Sequence, residues 1–136
     1  MNGIPTTRIV VHVEREFDAH APNKKRCDRL LFYEDTTKNN LVAAPIELKS
    51  GKAKESEVVE KLENSLEFAA SLVPTQATLK IAYVPVLFHG RGINWTNPKR
   101  RRQLSLFFRG RNLQVLIGHC GKAGNLAQVL SNAGYL

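Results

Sequence analysis

The segment RIVVHVEREF, residues 8–17, alternates: Ile9, Val11, Val13 and Phe17 fall on one side of an extended chain, and Val10, His12, Glu14 and Glu16 on the other. Period-two alternation predicts a strand. A turn-forming stretch, APNKKR at 21–26, separates it from CDRLLFYED at 27–35, a second strand rich in aromatic and aliphatic residues. TTKNN at 36–40 turns the chain again, and LVAAPIELK at 41–49 reads as a third strand. Three strands joined by short connections predict an antiparallel meander.

The period then changes. From about Lys54 to Val73 the apolar positions are Val58, Val59, Leu62, Leu66, Ala69, Ala70 and Val73, one stripe of a helix. Glu55 and Glu57 fall in its first turn, where the helix dipole favours anions, and Pro74 ends it. TLKIAYVPVLFHG at 78–90 predicts a long apolar strand with Pro85 at a bulge or edge. Residues 102–121 read as a hairpin turning at Gly110-Arg111-Asn112, and 125–132 as a short terminal helix. The order β-β-β-α-β-β-β-α predicts an α+β domain spanning residues 1–136, with a mixed sheet packed by one main helix.

Charge sharpens this picture. The 136 residues carry a net charge of +8, yet all 12 carboxylates lie at or before Glu67. Residues 68–136 hold nine Lys or Arg and no acid. A half-chain without acids suits a polyanion, so nucleic acid is the expected partner. No apolar run is long enough to span a membrane. The opening MNGIPTTRIV lacks a signal-peptide layout, and Cys27 and Cys120 form no CxxC pair, so reduced thiols and a cytoplasmic location are expected.

One feature of the third strand invites chemistry. Glu47 and Lys49 are two residues apart at its end, and so project to the same face. Asp28 lies near the start of the second strand, and an antiparallel pair can set the start of one strand beside the end of the next. Asp28, Glu47 and the Leu48 carbonyl could then converge as hard oxygen ligands, the set that Mg²⁺ prefers, with Lys49 orienting a water. The bland alternative is an exposed cross-strand ion pair of small energetic value.

CDRLLFYED, the 18 residues between Asp28 and Glu47, and IELKSG followed by a helix together resemble the PD-(D/E)XK nuclease superfamily over about residues 8–90. The usual core of that superfamily is a helix, three antiparallel strands, a helix and a further strand. Its second-strand acid matches Asp28, and its acid-any-lysine triplet matches Glu47-Leu48-Lys49. The resemblance implies hydrolysis of phosphodiester bonds with Mg²⁺, or Mn²⁺ in its place, on nucleic acid, with DNA favoured over RNA. Asp28, Glu47 and Lys49 would be the catalytic set. The pattern departs in having Cys27 where the superfamily has proline, and in lacking a leading helix. Glu14, Glu16 or a partner chain could supply a third carboxylate. The Gln-x-x-x-Tyr pattern of some DNA-end-processing members is absent. A homodimer or a subunit of a larger assembly is expected, in phage defence, repair or recombination. The alternative is a non-catalytic nucleic-acid-binding or assembly module.

Further cations are candidate phosphate contacts: Lys52 just past the triplet, Lys99, Arg100, Arg101 and Arg102 in a loop near Trp95, and Arg91, Arg109 and Arg111 on neighbouring turns. A zinc site from His20, Cys27, His119 and Cys120 fits no usual spacing. GHCGKAG at 118–124 lacks P-loop spacing. His89, at a strand end beside Gly90-Arg91-Gly92, is a candidate neighbour of the active site, although a lone histidine there more often serves structure.

Overall fold

The structure, a computed structural model, describes residues 8–12, 29–35, 40–49, 51–73, 80–95, 104–119 and 126–135. Its central element is Asn40–Lys49 (β3), whose residues Val42 to Glu47 are all buried. On one side β3 pairs antiparallel with Arg29–Asp35 (β2), which pairs antiparallel with Arg8–His12 (β1). On the other side two parallel strands follow, Lys80–Tyr83 (β5) and Val86–His89 (β6). A strand buried on both faces and paired on both edges has little room for polar residues, which is why VAAPI reads as a continuous apolar run rather than an alternation.

The predicted strand over 78–90 is divided into β5 and β6, and prolines explain the break. β5 and β6 keep the same register against β3, with Ala43 opposite Tyr83 and Ile46 opposite Val86. That register sets Pro45 against Pro85. Neither has an N–H to give, so the ladder is interrupted there and resumes beyond. The Pro85 carbonyl instead accepts from Leu116 N at 2.9 Å.

Two short ladders lie off the main sheet. Ala53–Lys54 (β4) runs parallel to Ile93–Asn94 (β7), and Ser105–Phe108 (β8) forms a hairpin with Arg111–Gln114 (β9). The hairpin turns at Arg109-Gly110, earlier than the sequence suggested; φ is positive at both, 50° and 78°, as a two-residue hairpin turn of the primed type requires. The chain then enters Leu116–His119 (β10), which joins the main sheet parallel to β6.

Among the described residues one helix covers each sheet face. Glu55–Leu72 (α1) buries Val58, Leu62, Leu66, Phe68 and Ala69 against Ala43, Leu87 and the β8–β9 hairpin. Leu62 and Leu66 are fully enclosed and contribute about 1.5–3 kcal/mol each. Phe68 is buried although it lies off the expected stripe, because it packs under Leu30 and Phe32. Val73 is extended, the conformation that a following proline imposes, and the helix stops there. Leu126–Asn132 (α2) covers the opposite face through Ala127 and Leu130, packed with Leu31, Tyr33, Val42, Ile46 and Phe88. Its end is a Schellman motif: Gly134 has φ +86°, Tyr135 N donates to Leu130 O, and Gly134 N donates to Ser131 O. Ile9 of β1 is 65% exposed. Among the described residues no helix is long and apolar enough to cross a membrane.

Gly118 of β10 lies opposite Phe88 of β6, and a Cβ there would sit 2.3 Å from the Phe88 ring. Because Phe88 is itself in the core, Gly118→Ala is expected to destabilise the fold by about 1–3 kcal/mol. Gly51→Ala, with nothing within 4 Å, should change stability by less than about 0.5 kcal/mol. Urea midpoints of the two variants against the parent test this difference.

Candidate active site

The parallel strands β3, β6 and β10 all end at one edge of the sheet, the edge where open α/β sheets carry their ligands. Glu47 on β3 is in register with Leu87 on β6, and Leu87 packs under Val58, Leu62 and Leu66. Glu47 therefore points beneath the first half of α1. It is 2% exposed, with Oε2 sealed from solvent. Lys61, reaching down from α1, places Nζ 3.6 Å from that oxygen and 3.5 Å from Glu57 Oε1, one helical turn before it. A carboxylate this deep is costly without a compensating cation, and Lys61 supplies one. The exposed pair considered from the sequence is thus not what Glu47 forms. Lys61 escaped the sequence reading because a lysine four residues after a glutamate on a helix normally signals a solvated pair.

One row further along the same face, Lys49, His89 and His119 stand side by side on the three strands. The two imidazoles meet edge to face at 5.2 Å. The loops leaving β3 and β6 are laced together beyond this row: Gly90 N donates to Lys49 O, Arg91 N to Gly51 O, and Ala53 N to Gly92 O. Gly92, at φ +92°, turns its N–H onto His89 Nδ1 at 2.9 Å. Nδ1 thus acts as acceptor, so the neutral ring carries its proton on Nε2. Burial lowers the His89 pKa, and the neighbouring His119 lowers it further. The result is a neutral imidazole beside the Lys49 ammonium.

The other sequence candidates separate. Leu48 turns its side chain to the opposite face and is 49% exposed. Lys52 and Arg91 are exposed on the two laced loops, near Lys49. Arg109 and Arg111 lie instead at the far end of β3, beside Asn40, so they do not extend a patch with Arg91. Trp95 packs partly buried against the core of Ala53, Val58 and Leu62. Asp28, Glu14, Glu16, Lys99, Arg100, Arg101 and Arg102 lie outside the described residues, as do His20, Cys27 and Cys120. Among the described residues no three His, Cys, Asp or Glu side chains gather to hold a metal. Of the proposed carboxylate ligands only Glu47 is described.

Comparison with known protein families, curated proteins and solved structures finds no match to this chain. What can be said of the site rests on its own geometry.

The lowered His89 pKa has a stability consequence of definite sign. Unfolded, His89 takes up its proton near pH 6.5; folded, only at lower pH. Its neutral state therefore favours the fold above about pH 6.5, and that advantage is lost as the pH falls toward the lowered folded value. His89→Asn should lose less stability than the parent between pH 7.5 and pH 5. Denaturant titrations of both proteins at the two pH values measure the difference.

Proposed function

We propose that this chain is a small Mg²⁺-dependent nuclease of the PD-(D/E)XK type, hydrolysing phosphodiester bonds of nucleic acid, DNA in preference to RNA. Glu47 and Asp28 would hold the ion with the Leu48 carbonyl, and Lys49 would position the attacking water. The observation that carries this reading is a carboxylate kept 2% exposed at the end of the central strand, with Lys49 on the same face. Support also comes from the order of elements: an antiparallel meander, a covering helix, then a strand parallel to the third. Asp28 immediately precedes Arg29, and Arg29 pairs with Ile46, the residue before Glu47.

The donor chemistry suits the ion. A carboxylate is a hard oxygen ligand, and the Lys61 ammonium 3.6 Å from Glu47 marks a place where positive charge is stabilised. A bound divalent cation would supply polarisation of a phosphoryl oxygen and a more acidic water. This chain's own residues do the rest. Lys49, backed by His89, presents a cation at the strand end, and Lys52 and Arg91 stand exposed on adjacent loops where phosphates would approach. The setting we favour is a homodimer or a subunit of a larger assembly in phage defence, repair or recombination.

The Lys61–Glu47 pair favours a second reading, in which the acid is a structural counterion and the chain binds nucleic acid without cutting it. Cleavage of plasmid and of single-stranded DNA and RNA with Mg²⁺ or Mn²⁺ separates the two. Glu47→Gln and Lys49→Met are each expected to lower the rate about 100-fold or more. Independently, Mg²⁺ at about 100 times its Kd should stabilise the parent by roughly 2.7 kcal/mol and leave Glu47→Gln unaffected. Cleavage surviving both substitutions removes these residues from the chemistry. Binding without cleavage, and without Mg²⁺ stabilisation, leaves the second reading in place.

A further inference from the structure

At the opposite end of β3 the sheet has a gap. β10 pairs with β6 along Val86–His89 and goes no further, so among the described residues no strand covers the outer edge of β5. The β8–β9 hairpin stands away from that edge, and the space between is a cleft of about 450 Å³, within the size range of small-ligand sites.

The chemistry of its wall is selective. Three cations line it, Lys80, Arg109 and Arg111, with three aromatic side chains, Tyr83, Phe108 and Tyr135, and no carboxylate among the described lining residues. Tyr83 and Phe108 meet edge to face at 4.9 Å, and the Arg109 guanidinium lies 5.3 Å from the centre of the Phe108 ring. Tyr135 is held in place by its backbone: its carbonyl accepts from the buried Tyr33 hydroxyl at 2.8 Å. Burial raises the Tyr33 pKa, with Asp35 and Tyr135 adding to the rise, so the hydroxyl remains a donor at all ordinary pH values.

Arg109 adds a second observation. It occupies the first turn position of the hairpin at φ +50°, where Asn, Asp or Gly would fit without strain. A side chain kept in a strained position points to a role for that side chain. Its partner, Glu67, is 3.8 Å away with both groups 59% exposed, so the pair is weak and an incoming anion can displace the carboxylate.

We infer that this cleft binds a nucleoside phosphate unit, the base held among Tyr83, Phe108 and Tyr135 and the phosphate by Lys80, Arg109 and Arg111. Charge alone would need no aromatic wall, and an apolar ligand would need no cations. The outer edge of β5, unpaired with any strand among the described residues, offers backbone N–H and C=O groups that can meet a base edge. The unit is either a free nucleotide or one residue of a strand, and the chemistry is shared. Neither Glu47 nor a metal takes part, so the inference stands apart from the nuclease reading.

The test is calorimetric titration in EDTA with AMP, adenosine, inorganic phosphate and the oligonucleotide (dA)₄. AMP is expected to bind about tenfold or more tightly than adenosine or phosphate. Lys80→Gln with Arg111→Gln, both at exposed positions, should weaken AMP about tenfold or more while leaving the thermal midpoint in place. Glu47→Gln should leave AMP affinity unchanged. (dA)₄ binding about tenfold more tightly than AMP assigns the cleft to a strand, and equal binding assigns it to a free nucleotide; both support the inference. Adenosine or phosphate matching AMP, full AMP affinity in the double variant, or no binding by any of the four overturns it.

Discussion

The described elements of this molecule are arranged around the burial of β3 on both faces and both edges. Such a strand is stabilised by apolar area and tolerates charge only where a partner reaches in. Glu47 is the exception within the buried run, and Lys61 is its partner. Removing a carboxylate from water costs several kcal/mol, and the Lys61 ammonium at 3.6 Å offsets part of that cost. A buried pair of this kind is a poor stability device compared with a hydrophobic residue of equal volume. The proposed metal-binding role would account for its presence at the end of a central strand.

The same strand also dictates where the sheet opens. Pro45 and Pro85 face each other and divide the parallel partner into β5 and β6. β10 adds only to β6, and the hairpin that feeds it diverges before reaching β5. The cleft is thus a by-product of topology: among the described residues a strand pairs beside one half of the interrupted partner and none beside the other. Aromatic and cationic side chains from β5, the β8–β9 hairpin and the segment after α2 then line the opening.

Much of the architecture was legible in the residues. The meander, the helix over 54–73, the terminal helix and the mixed sheet all follow from periodicity, since strands alternate and helices repeat at 3.6. Local arithmetic could not supply pairings between distant segments. Residues 111–119 look like one hairpin arm, yet at Val115 the chain leaves β8, with Val115 N donating to Leu104 O, and β10 moves beside β6. Phe68 faces the core because Leu30 and Phe32 wait there, which helical spacing alone does not reveal. At the candidate site the common face of Glu47 and Lys49 was readable from their spacing. The depth of Glu47, the reach of Lys61 and the row linking Lys49 to His89 and His119 depended on parallel register between strands some forty residues apart in sequence.

Charge ties the two ends together and also keeps them separate. The acids of α1, Glu55, Glu57, Glu60, Glu63 and Glu67, lie along the helix that spans the face between the ends of β3. Burial and the adjacent Glu60 raise the Glu63 pKa, a sign of how closely these carboxylates crowd. Under the proposed nucleic-acid reading, a polyanion would be repelled along the exposed part of that helix and attracted at its two ends: by Lys49, Lys52 and Arg91 at one, and by Lys80, Arg109 and Arg111 at the other. A strand of ten residues spans about 30 Å, against a screening length of about 8 Å at physiological salt. The two cation groups are therefore electrostatically independent, and under the proposed readings one nucleic acid would have to bridge them physically to engage both. In that case occupancy of the far cleft would influence events at Glu47 through tethering of a common strand, not through the field between them.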